Sequence, residues 1–128
     1  MYATLGNHDS VPQAWNSPNS LLGDNVPNEF SWNYQLMSGL WESNGWIDDT
    51  TAQYAATHYG AYAYVTPEGL KIISLNTDFW YQSNIFNYYN FTNPDPSGML
   101  AFLISELEKS EKINQRVRSR QQRRLTDM

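Results

Sequence analysis

An α/β fold is predicted by three patterns: a nearly continuous apolar run through Ile72-Ile73 and Leu75, and two stretches of helical apolar spacing, beginning at Phe30 and at Asp95. An apolar run of this kind is expected of an inner strand covered on both faces, and the helical stripes supply layers to cover it. At 128 residues and 41% hydrophobic content, the chain is long enough for one compact domain. Its 5 Trp, 9 Tyr and 5 Phe mean that burial rests on large rings as much as on aliphatic side chains.

In chain order, Tyr2 to Leu5 reads as the end of a strand running into Gly6, and 12–27, rich in Asn, Ser and Pro, as loop. From Phe30, the positions Phe30, Tyr34, Met37, Leu40 and Trp41 recur at helical spacing, and Asn44-Gly45 supplies the stop. Asp48-Asp49 caps a short helical turn through Ala56. Tyr59 to Thr66, Pro67-Glu68-Gly69 and Leu70 to Asn76 read as strand, turn and strand. Asp95-Pro96 is an N-cap followed by proline at the first helical position, with Met99, Phe102, Leu103 and Leu107 as the buried stripe.

Composition excludes several classes. With no cysteine there is neither a disulfide framework nor a thiolate metal site. No run approaches the roughly 18 apolar residues of a membrane span, and Met1 to Leu5 lacks the features of a signal peptide. The net charge of −5 conceals a division: residues 1–105 carry nine acidic side chains and Lys71 as the single base, whereas 106–128 carry four acidic and seven basic ones. An acidic body argues against a nucleic-acid partner, which requires clustered Lys and Arg, and suits metal ions better.

Chemistry centres on Gly6-Asn7-His8-Asp9. An Asn side-chain oxygen is a neutral hard ligand that leaves positive charge on a divalent ion available to a phosphate. The adjacent His8 carries an imidazole, the side chain best suited to donate a proton to a leaving alkoxide, with Asp9 orienting it or ligating nothing. The same spacing also fits a turn whose side chains bond only local backbone.

The segments YATLGNHDSVP, FSWNYQLMSGLWESNGWI, HYGAYAY, GLKIISLNTDFWY and NPDPSGMLAFLISELEKSE, in this order, resemble the central part of the fungal acid-sphingomyelinase-like phosphodiesterases of the calcineurin-like metallophosphoesterase superfamily. The resemblance covers residues 2 to about 117, and LNTDFWY and DPSGML carry more of it than the widespread loop motif. It implies a four-layer α/β/β/α sandwich with a site for two divalent metal ions, usually zinc, and hydrolysis of sphingomyelin to ceramide and phosphocholine. Asn7 then binds metal and His8 protonates the leaving group, while phosphodiesterase action on nucleotides or other phosphoesters is the alternative within enzymes. A secreted or extracellular protein is implied, with a phospholipid substrate, no nucleic acid and peripheral membrane contact.

The resemblance also requires upstream Asp-x-His and Gly-Asp elements and later histidines that this sequence does not contain. A single Asn cannot retain zinc against water, so 1–117 is expected to be an inactive central fragment of the domain. The basic stretch 118–128 is expected to be foreign to the fold, as a changed reading frame, retained intron or misplaced gene end would make it. A non-catalytic lipid-binding remnant is the reading from a different class.

Further residues carry paired expectations. His58 has a structural or surface role, or else contacts substrate or lies in the second shell of the metal site, where Asp9 is also a candidate. Asn76, Thr77 and Asp78 follow the inner strand, where α/β proteins place functional groups; otherwise they form a polar turn in which Asp78 caps backbone. Trp80, Tyr81, Phe86, Tyr88 and Tyr89 are core or interdomain packing residues, or else bind a choline head group by cation-π contact or meet a lipid surface. Asn90-Phe91-Thr92 is a glycosylation sequon.

Overall fold

The computed structural model describes residues 1–6, 8–10, 15–16, 31–88 and 94–121. Three strands, β1 (Tyr62–Val65), β2 (Lys71–Ser74) and β3 (Val117–Arg120), form a mixed sheet in the order β1-β2-β3. The β1-β2 hairpin pairs Tyr62 with Ser74 and Val65 with Lys71, as expected from the Pro67-Glu68-Gly69 turn, which closes through Thr66 N–H to Leu70 O at 2.8 Å. β3 lies parallel to β2, and the connection between them contains helix α3 (Met99–Lys112). β2 is therefore the inner strand, and all four of its residues are buried.

Alternation along the strands assigns the two faces. Tyr62, Tyr64, Ile72 and Ser74 share one face by register, covered by residues 1–6 and by the helices α1 (Trp32–Ser43) and α2 (Asp49–Thr57). Tyr62 closes on Trp41 with ring centroids 5.6 Å apart, in a cluster with Leu5, Tyr34, Ile47, Ala52 and Ala55. The other face carries Ala63, Lys71 and Ile73 beneath α3, where Lys71 Nζ pairs with the Glu106 carboxylate and donates to Glu106 O. A second cluster joins Ala61, Phe79 and Met99.

The α2 cap is as expected: the Asp48 carboxylate accepts from Thr51 N–H at 2.8 Å, and hydrogen bonding from the Thr51 side chain and then its backbone lowers the Asp48 pKa below the usual carboxylate value. Three details differ from expectation. Tyr2 to Leu5 joins no strand; its links to the sheet run through Tyr62 Oη and Ser74 Oγ, which donate to Ala3 O, and Thr4 Oγ1, which donates to Leu75 O. α3 begins at Met99 rather than at Pro96, because Ser97 and Gly98 have φ of 59° and 69° and interrupt the helical path. Asp95 still caps it from across that turn, accepting from Leu100 N–H at 2.6 Å and Ala101 N–H at 3.0 Å. Leu40 and Leu107, expected in buried stripes, are exposed. A four-residue strand spans ~13 Å and a fourteen-residue helix ~21 Å, so this sheet cannot cover the whole of α3.

The expected boundary at Val117 coincides with the start of β3, so 118–120 run within the sheet; 122–128 lie outside the described residues. Backbone pairing makes this possible without apolar side chains: Lys71 N–H donates to Arg116 O and Leu75 N–H to Arg120 O, both at 2.9 Å. Among the described residues, no helix is long and apolar enough to cross a membrane.

Candidate functional site

The loop after residues 1–6 is anchored by a buried side chain. Leu5 is sealed in the first cluster at 1% exposure, so the chain leaves the core at Gly6. A reciprocal pair then closes a turn: Asp9 N–H donates to Gly6 O at 3.1 Å, and Gly6 N–H donates to Asp9 Oδ2 at 2.8 Å. His8 lies within this turn and is exposed. Asn7 and Asn90 lie outside the described residues. The local backbone bonding weighed for Asp9 is what its carboxylate makes here, and that bond fixes the turn carrying His8. Ser10 is buried beside it, its hydroxyl without a hydrogen-bond partner among the described residues.

Tyr62 secures the approach to the turn from below. Its hydroxyl donates to Ala3 O at 2.6 Å, and burial pushes its pKa up to about 12. The phenol therefore stays protonated and remains a donor throughout the neutral range.

On the other side of β2, the chain ends the strand in a polar hub. Asn76 Oδ1 accepts from Asp78 N–H at 3.2 Å, capping the short 3₁₀ helix Thr77–Trp80. Asp78 is 1% exposed, and its Oδ2 accepts from Asn16 Nδ2 at 2.7 Å. Asn84 Nδ2 donates to both Asn16 O and Asp78 O, at 2.9 and 3.1 Å, and Asn87 Nδ2 donates to Asp78 O at 3.0 Å. Trp15 packs edge-on against Phe86 at 6.3 Å. Residues 15–16, which follow the His8 turn in sequence, are thus tied to the segment that follows β2. From sequence, Asp78 is open to a functional role after the inner strand or to a local backbone cap, and Asn16, Asn84 and Asn87 carry no signal. A contact between residues 62 apart leaves no periodic signal.

His58 sits elsewhere in the fold, at the end of α2. Its ring stacks on Tyr54 at 3.7 Å, and Nδ1 lies 2.8 Å from Tyr54 O and 2.9 Å from Thr57 Oγ1. All these partners belong to α2. Of the aromatic set, Trp80 packs against the second cluster, and Tyr88 is exposed with its hydroxyl donating to Gln82 O. Tyr89 lies outside the described residues.

Among the described residues, no three His, Asp or Glu side chains gather in a way that could hold a metal ion. One oxygen of the Asp9 carboxylate accepts from Gly6 N–H, and His58 Nδ1 is engaged at the α2 terminus. These residues do not form a divalent-metal site by themselves.

No family model matches the chain. It is 35% identical to sphingomyelin phosphodiesterase 1 of Caenorhabditis elegans over 117 residues, and 36% identical to sphingomyelin phosphodiesterase 2 of the same organism over 114 residues. These matches cover 91% and 87% of the chain but only 19% and 17% of the relatives. The cyclic GMP-AMP phosphodiesterase of Homo sapiens is 29% identical over 119 residues, 91% of the chain and 23% of that protein. Along nine tenths of its length the chain is thus similar to sphingomyelinase-like phosphodiesterases, and it spans less than a quarter of each of these relatives.

Proposed function

We propose that this chain is the central segment of a metal-dependent phosphodiester hydrolase acting on a phosphocholine lipid such as sphingomyelin. The observation that carries the reading is the Gly6–Asp9 turn, closed by two reciprocal bonds and presenting an exposed His8, in a chain similar to sphingomyelin phosphodiesterases along most of its length. In the reaction, water adds to phosphorus as the bond from phosphorus to the ceramide oxygen breaks. The imidazolium of His8 gives its proton to that departing oxygen, so ceramide leaves as a neutral alcohol and phosphocholine retains the water oxygen.

In this proposal Asn7 contributes one neutral oxygen to a centre of two divalent ions, zinc by resemblance, and flanking sequence of a longer protein supplies the other ligands. The isolated 128-residue chain neither retains zinc nor turns over. The three-stranded sheet and its helices make up part of a four-layer sandwich, and the longer protein is secreted, glycosylated at Asn90 and peripheral to membranes. A second reading, hydrolysis of a nucleotide phosphodiester, is favoured by the similarity to a cyclic GMP-AMP phosphodiesterase.

The test compares the isolated chain with one extended by its flanking sequence, measuring bound zinc and hydrolysis of sphingomyelin, a cyclic dinucleotide and a chromogenic phosphodiester. The extended protein is expected to cleave sphingomyelin, with kcat reduced about 10²-fold to 10⁴-fold by His8→Ala. Stoichiometric zinc and His8-dependent turnover in the isolated chain would overturn the incomplete-site reading. Turnover of the extended protein that is indifferent to His8→Ala would overturn the assignment of the proton donor.

A further inference from the structure

We infer that Asp78, together with Asn16 and Asn84, is a positioning residue that braces the loop carrying His8 against the end of β2. The inference rests on the reading of His8 as proton donor. Asp78, Asn16 and Asn84 are 1%, 2% and 0% exposed, so each polar group here has been withdrawn from water. A buried carboxylate is costly unless hydrogen-bonded, and a simple strand stop does not need one, since Asn76 already caps the turn after β2. The Asp78 carboxylate instead accepts from Asn16, eight residues beyond His8 in sequence, and Asn84 holds the Asn16 carbonyl.

The preceding side of the loop is held at the same place. Thr4 Oγ1 donates to Leu75 O, and Leu5 is locked in the core. His8 therefore lies along the chain between two anchors that both reach the 75–84 segment. Anchoring both ends of a loop removes conformations that a proton donor would otherwise have to leave before each reaction.

The test uses the full 128-residue chain, labelled for NMR, with Asn16→Asp, Asp78→Asn and the swapped pair combining both. Amide exchange is read at Gly6 and Asp9, whose N–H groups close the turn, together with the order of the His8 ring and the urea midpoint. Asn16→Asp sets two carboxylates against each other in a buried site. Exchange at Gly6 and Asp9 is expected to rise about tenfold or more, and the His8 ring to gain mobility, while amides of Trp41 and Tyr62 keep their protection. The swapped pair restores the bond with donor and acceptor reversed, and the carboxylate introduced at position 16 would still accept from Asn76, as the Asn16 oxygen does. Exchange is therefore expected to return to within about twofold of the parent chain.

Should Asn16→Asp fail to fold, Asp78→Asn, which places amide against amide without added charge, gives the same reading with a smaller rise. Unchanged exchange and ring order in a folded single variant would overturn the brace. So would a swapped pair that regains the urea midpoint but not the order of His8, because the bond would then serve stability alone. These readouts require no turnover, so they succeed or fail independently of the hydrolase assignment.

Discussion

Gly60→Ala perturbs the contact that seats Leu5 at the entrance to the His8 turn. Gly60 follows the end of α2 with φ of +76°, and a methyl there would stand 2.3 Å from Leu5 Cδ1 and 3.2 Å from Cγ. The left-handed backbone alone costs a non-glycine residue about 1–2 kcal/mol. Leu5 could yield only by leaving its rotamer, and it is sealed among Tyr34, Trp41 and Tyr62, so overpacking adds about 1–3 kcal/mol. A total of about 2–5 kcal/mol is a large fraction of an ordinary domain's stability. Gly45→Ala is the control, because Gly45 has a similar φ of +72° with nothing within 4 Å of the added methyl. Urea unfolding of both variants, and of Gly60→Ala in a Leu5→Ala background, separates the two contributions. With Leu5 truncated, Gly60→Ala should cost no more than Gly45→Ala. Equal costs for Gly60→Ala and Gly45→Ala in the parent chain, or an additive cycle with Leu5→Ala, would refute the clash.

Three further perturbations address other parts of the fold. Burial pushes the Glu106 carboxyl up, but hydrogen bonds and charge from Lys71 and Lys109 outweigh it and hold the pKa below the usual carboxylate value. A lowered folded pKa means stability that is present above about pH 4.5 and lost as pH falls through the folded value; Lys71→Met should cost about 3 kcal/mol at neutral pH and flatten this acid limb in urea titrations. Tyr62 shows the opposite sign. With its pKa raised to about 12, its contribution is full below pH 10 and falls by about 2–3 kcal/mol between there and pH 12, a slope that Tyr62→Phe should remove in alkaline unfolding. Asp48→Ala removes the α2 cap and should cost about 1 kcal/mol by thermal unfolding, with no change in exchange at Gly6 or Asp9.

Legibility in this sequence follows the range of the interaction. Helix α1 was readable because Tyr34 and Trp41 repeat at the spacing of a covered face, and β2 because all four of its residues are buried. Leu40 and Leu107 satisfied the same periodicity and are exposed, since periodicity reports which side chains share a face but not whether a neighbour is long enough to cover it. β3 was missed for the converse reason. Val117 to Arg120 has no apolar period, yet its backbone groups pair with β2 as any residue's can.

The candidate site divides along the same line. Gly6 to Asp9 is four consecutive residues, and its closure by Asp9 was among the alternatives open from spacing alone. What holds that turn in place is nonlocal, running through Leu5 to Gly60, Tyr62 to Ala3 and Asp78 to Asn16. A local motif can specify the shape of a reactive turn, whereas its orientation relative to the sheet must come from contacts distant in sequence. Asp78 makes the distinction sharp: as the second residue of a 3₁₀ turn it looks like a helix-end acid, and only the position of Asn16 reveals that its carboxylate faces the loop. Substitutions that spare Gly6 to Asp9 but break this brace should therefore leave the motif in the sequence while loosening the turn and the residue it presents.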